Sequence, residues 1–76
     1  MKRDRSLLRV LRAQQEPKMS QRQLALKAGL SPSRYWQIES GEGSEPSRDE
    51  KDAVAAALGV KAADIAWPTF LQVQAS

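Results

Sequence analysis

The sequence predicts an all-α fold of five short helices, and three features carry that prediction. Ser and Pro start signals alternate with Gly stop signals at helical spacing, apolar residues recur three and four positions apart between them, and no β-branched alternation is long enough for a sheet.

The first helix is expected over about residues 4–15, where Leu7, Leu8, Leu11 and the flanking Val10 make an apolar stripe that ends near Pro17. The second is expected over 21–28. Ser20 followed by Gln23 is a capping-box pair, Leu24 and Ala28 face one side, and Gly29 stops the helix. Ser31 then caps a third helix over 32–39, with Pro32 at the first position, where its missing N–H is harmless, and Tyr35 and Ile38 as the inward pair.

The stretch Ser40 to Pro46 is rich in Gly, Ser and Pro and reads as a loop. Ser47 and Glu50 repeat the capping box, and Val54, Ala57 and Leu58 give a fourth helix its inward face until Gly59. Ala62, Ile65 and Trp67 mark a short fifth helix ending before Pro68. Trp67 and Phe70 are expected to close the core, as a small helical domain needs its aromatics. These elements divide the chain into a domain over 1–68 and a tail over 69–76. The tail alternates weakly and is open between a strand, a packed segment and a frayed end; if Leu71 and Val73 are exposed, a second copy of the chain would cover them.

Seventy-six residues make one domain, and a chain this short buries only about 60–65% of its unfolded surface. It holds neither His nor Cys, so a zinc finger and a disulfide staple are both excluded. Catalysis is not expected, because no nucleophile–base pair or phosphate-cradling Gly loop is present and the carboxylates cluster where solvation explains them. No cofactor, metal or small-molecule substrate is implied. The basic opening resembles a signal peptide, but Arg9 and Arg12 interrupt it and no 18-residue apolar run follows, so the expectation is a cytoplasmic protein with no membrane span.

Charge is unevenly spread. Residues 1–38 carry nine Lys and Arg against two acids, a balance of +7, whereas residues 39–76 carry three against seven, a balance of −4. A basic front half suits phosphates or anionic lipid, although an uneven solvated surface would look the same.

Only Gly29-Leu30-Ser31 separates the second helix from the third, which forces a steep crossing rather than an antiparallel pair. Ala25 supplies the small residue where the helices press together, and Gly29 supplies comfort at positive φ. Leu24, Ala28, Leu30, Tyr35 and Ile38 fill the inward positions. The run from Ser20 to Ser31 resembles the "S-Q-x-x-L-A-x-x-x-G-(apolar)-S" signature of the phage-repressor and Cro-like helix-turn-helix family, also called the XRE family. Ile38-Glu39-Ser40-Gly41 is similar to its "I-E-x-G" ending, and Ala56 to Val60 to the close of its fourth helix. The likeness spans about residues 7–67.

The resemblance implies a compact lambda-repressor-like domain that binds double-stranded DNA, placing the third helix in the major groove and the N-terminus of the second at a phosphate. On the groove side it places Pro32, Ser33, Trp36 and Gln37. Gln37 could pair bidentately with adenine N7 and N6–H, and Ser33 could donate or accept at almost any base. Trp36 is open between thymine methyls or sugars, the core, and a dimer partner. Phosphate contacts fall to Gln21, Arg22, Arg34 and Lys27, with plain solvation an alternative for Lys27.

Two departures qualify the likeness. Glu42 and Glu45 stand in the loop where the family often carries basic residues, which should weaken DNA binding. The connection from Gln14 to Met19 is longer than usual, so the helix-one Arg that pairs with the Glu of "I-E-x-G" is out of register; Arg12 with Glu39 is the expected pair, with a lost contact as the alternative. The functional expectation is a transcriptional regulator, repressor-like and homodimeric. Its rivals are a protein-interaction module of antitoxin-like or adaptor type and, more remotely, lipid binding by the first helix.

Overall fold

A computed structural model describes residues 5–70 of the protein. Four α-helices follow one another: α1 (Leu8–Ala13), α2 (Gln21–Ala28), α3 (Pro32–Ser40) and α4 (Arg48–Leu58); a single 3₁₀ turn, Ala62–Asp64, comes after them. The domain is all-helical, and its only β-type pairing among the described residues is one isolated parallel bridge between Ser6 and Ile65.

Local chemistry sets the ends of α2, α3 and α4. Ser20 Oγ accepts from the Gln23 N–H at 3.1 Å while Gln23 Oε1 accepts from the Ser20 N–H at 2.9 Å. Ser47 and Glu50 make the same reciprocal pair, and Ser31 Oγ accepts from the Arg34 N–H. Each of these caps satisfies amides that helical geometry leaves without partners. Gly29 stops α2 at φ +76°, a left-handed conformation that any Cβ would strain, and the next amide, Leu30 N–H, donates back to the Ala25 carbonyl at 2.8 Å.

The first and last expected helices are the ones the structure corrects. α1 begins at Leu8 rather than near residue 4, with Leu7 at its N-cap offering no side-chain cap. The reason lies across the chain: Ser6 donates its N–H to the Asp64 carbonyl at 3.1 Å and accepts from the Ala66 N–H at 2.8 Å, so its backbone is extended and already satisfied. The apolar stripe shrinks accordingly. Leu8 and Leu11 are buried, whereas Leu7 and Val10 are exposed.

The expected fifth helix is replaced by the 3₁₀ turn. Lys61 at its start provides no side-chain cap, Ile65 at its end is extended for the bridge to Ser6, and Pro68 bars a continuation. Trp67 closes the turn, as its indole N–H donates to the Ala62 carbonyl at 3.0 Å while the ring packs against the core. Phe70 is half-buried. Leu71, Val73 and most of the proposed tail lie outside the described residues.

The core gathers Leu8 and Leu11 from α1, Leu24 and Ala25 from α2, Tyr35 and Ile38 from α3, four residues of α4 and Ile65. Burying each of Leu24, Ile38 and Ile65 contributes about 1.5–3 kcal/mol. Ala28 and Leu30 pack on its edge, so the five inward positions of the two-helix motif all meet the core. α2 packs against both α3 and α4, and that support turns the opposite side of α3 toward solvent.

Candidate nucleic-acid interface

Because Tyr35 and Ile38 point into the core, the positions between them must point out. Pro32, Ser33 and Trp36 are exposed, Gln37 is half-buried, and these four side chains line one shallow depression of about 470 Å³. The four residues expected on the groove side are therefore brought together. Trp36 is 44% exposed, which answers one open question: its ring does not fold into the core.

Gln37 lies against the loop that follows α3. Its Oε1 accepts from Arg34 Nη1 at 3.4 Å, and a Cβ added to Gly43 would stand 2.9 Å from that oxygen. Gly43 adopts φ +74°, so its bare α-carbon serves both the bend and the close approach. The sequence carried no signal for this contact beyond the Gly-rich composition of the loop.

Arg34 is engaged on all three of its guanidinium nitrogens. Nε and Nη2 donate to the two oxygens of Glu50 at 2.8 Å each, and Nη1 donates to the Ser44 carbonyl at 3.1 Å as well as to Gln37. The fork geometry matches a carboxylate and adds direction to charge. Hydrogen bonding from Arg34, with help from the Ser47 amide, pulls the Glu50 pKa down to about 2. The same bond raises that of Arg34 against a smaller opposing effect of burial. Read from sequence, Glu50 is only a cap; here it also anchors α3 to the start of α4.

At the other end of α3 lies the expected pair. Arg12 Nε and Nη2 donate to Glu39 Oε1 and Oε2 at 2.8 and 2.9 Å, and Arg12 Nη1 reaches the Met19 carbonyl at 3.2 Å. The Met19 N–H in turn donates to the Arg12 carbonyl at 3.1 Å, so the long connection folds back on Arg12 and the expected pair forms. Glu39 also accepts from the Tyr35 hydroxyl at 2.7 Å and from Gln21 Nε2 at 2.8 Å. Burial pushes the Glu39 pKa upward, but hydrogen bonds from Arg12, Tyr35 and Gln21 together outweigh it and hold the carboxyl below the usual carboxylate range. Burial and the bond to Glu39 push the Tyr35 phenol upward, so it remains a donor.

The residues expected at phosphates divide three ways. Gln21 opens α2 with its amide fixed by Glu39, Arg22 is exposed on the same turn, and Arg34 is committed to Glu50. Lys27 is exposed at the far end of α2, where it lines a separate depression with Lys18 and Gln23. Glu42 and Glu45 are exposed, the latter 3.9 Å from Lys51 Nζ. Among the described residues no group of His, Cys, Asp or Glu is arranged to hold a metal ion, and no helix is long and apolar enough to cross a membrane.

A family model described as a helix-turn-helix domain matches residues 5–67. Among curated proteins none matches the chain.

Proposed function

Since the chain belongs to the helix-turn-helix domain family, we propose that it is a sequence-specific, duplex-DNA-binding transcriptional regulator, repressor-like, that reads the major groove with α3. One observation carries the reading: Pro32, Ser33, Trp36 and Gln37 share a solvent-facing depression on the side of α3 opposite the buried Tyr35 and Ile38. Ser33 and Gln37 are one turn apart and supply polar groups for base edges, while Pro32 and Trp36 supply apolar surface for thymine methyls or sugars.

Phosphates fall to the start of α2. Gln21 Nε2 spends one proton on Glu39 and keeps the other, at the N-terminus of α2, for a phosphate oxygen. Arg22 and Lys27 add exposed positive charge. Arg34, neutralised by Glu50, acts on the interface through its neighbours. A module of this size buries about 600–1,000 Å² of its surface on DNA, so a homodimer on paired half-sites is the economical assembly. The setting is the cytoplasm, the role is not enzymatic, and neither a cofactor nor a small-molecule substrate takes part.

Selection of bound duplexes from a random pool tests the reading. The expected result is a pair of related half-sites, with affinity that falls steeply as salt rises because each neutralised phosphate adds about 0.9 to the log–log slope. An unenriched pool would sink the proposal. The exposed Trp36, together with the acidic Glu42 and Glu45, favours a second reading as a protein-interaction module of antitoxin-like or adaptor type. A partner held by a Trp36-centred contact would stay bound at salt concentrations that release DNA.

A further inference from the structure

Gln37 is held with one end of its amide occupied. Its Oε1 accepts from Arg34 Nη1, and the guanidinium cannot easily swing away, because Glu50 grips its other two nitrogens at 2.8 Å and the Ser44 carbonyl accepts from Nη1 at 3.1 Å. The amide also lies against the bare α-carbon of Gly43, where a Cβ would come within 2.9 Å of Oε1, 3.0 Å of Cδ and 3.3 Å of Nε2, so the oxygen is the atom pressed closest. Among the described residues none accepts a hydrogen bond from Gln37 Nε2. Its two protons are therefore what the side chain offers to the depression it lines with Pro32, Ser33 and Trp36.

Resting on the DNA-reading function proposed above, we infer that Arg34 is a positioning residue which presents Gln37 to the groove as a donor only, so that Gln37 selects guanine over adenine. Guanine offers two acceptors in the major groove, N7 and O6, and the two protons of one amide nitrogen can serve both, much as a lysine ammonium does. Adenine offers an acceptor, N7, beside a donor, the N6 amino group. A glutamine pairs with both only by turning its oxygen as well as its nitrogen to the base. An amide oxygen keeps a second lone pair, so the exclusion of adenine rests on direction: with Oε1 drawn toward Arg34 and Nε2 the end turned to the base, the adenine amino group would face another donor and lose its hydrogen bond on leaving water.

The test is selection from a random duplex pool with the wild-type chain, Gln37→Ala and Arg34→Met, followed by titration of single-base variants of the selected site at fixed salt. The position whose preference disappears in Gln37→Ala is expected to be guanine in the wild type, favoured over adenine by at least about fivefold. In Arg34→Met the released oxygen should let adenine equal or exceed guanine there, while affinity for unrelated duplex changes by a smaller factor. A role limited to stability would not move that base preference.

Adenine at the Gln37-dependent position of the wild type would overturn the donor-only presentation and leave DNA reading intact. A wild-type pool with no enrichment would overturn both. Guanine retained in Arg34→Met would remove Arg34 from the mechanism. Should Arg34→Met fail to fold, Glu50→Gln replaces it: glutamine keeps the cap but loosens the grip on Arg34, so the preference for guanine over adenine should narrow, and an unchanged preference would count against the inference.

Discussion

Two guanidinium–carboxylate pairs bracket α3, and they differ in what surrounds them. Arg12–Glu39 and Arg34–Glu50 both use the Nε and Nη2 fork, and their shortest contacts are each 2.8 Å. Glu39, however, collects donors from α1, α2 and within α3, and its side chain is 14% exposed. Glu50 at 25% is wetter, and its carboxylate accepts only from Arg34 of α3 and from the Ser47 amide at the start of its own helix. The inner carboxylate is a hub with no substitute partner. The outer one is a latch, and water can stand in for much of what it does.

The sharpest way to break the comparison is to remove the hub. Glu39→Ala leaves the Arg12 guanidinium with only the Met19 carbonyl among the partners it has here, and strips the Tyr35 hydroxyl and the Gln21 amide of their acceptor. The expected loss is about 2–4 kcal/mol of unfolding free energy, measured by denaturant titration. A change below about 1 kcal/mol would mean the hub is no more than a second latch. The equivalent step at the outer pair, Arg34→Met, should lower stability by only about 1 kcal/mol, because the Glu50 carboxylate and the Ser44 carbonyl left behind can rehydrate and Glu50 still accepts from the Ser47 amide. If the two variants melted alike, the contrast in surroundings would have no energetic content.

How much of this was legible in the sequence depended on the range of the interaction. The ends of α2, α3 and α4 could be read because each is decided within four residues: Ser20 with Gln23, Ser31 before Pro32, Ser47 with Glu50, and glycine at 29 and 59. α1 and the last turn could not, since the bridge between Ser6 and Ile65 is a pairing across most of the chain and no local pattern announces it. The same divide runs through the candidate interface. Outward placement of Ser33, Trp36 and Gln37 follows from helical period alone once Tyr35 and Ile38 are inside. The engagement of Arg34 with Glu50, sixteen residues away, does not, and an arginine on a basic front half reads from sequence as a phosphate contact.

Acid isolates the outer pair by a route that leaves the hub untouched in the comparison. Glu50 titrates near pH 2 when folded, against an ordinary value of 4.5, so its contribution is fully present above about pH 4.5 and fades as pH falls toward 2. In Arg34→Met the main cause of that depression is gone, and the Glu50 carboxyl should return toward its ordinary range. Glu39 loses its charge in both proteins by the same path and cancels from the difference. The gap in melting temperature between wild type and Arg34→Met should therefore hold steady from neutral pH down to about 4.5 and then close toward pH 2. A gap that persists at pH 2 would place the stabilisation in packing of the Arg34 stem rather than in the pairing of its charge, and the latch would have to be redrawn as an apolar contact.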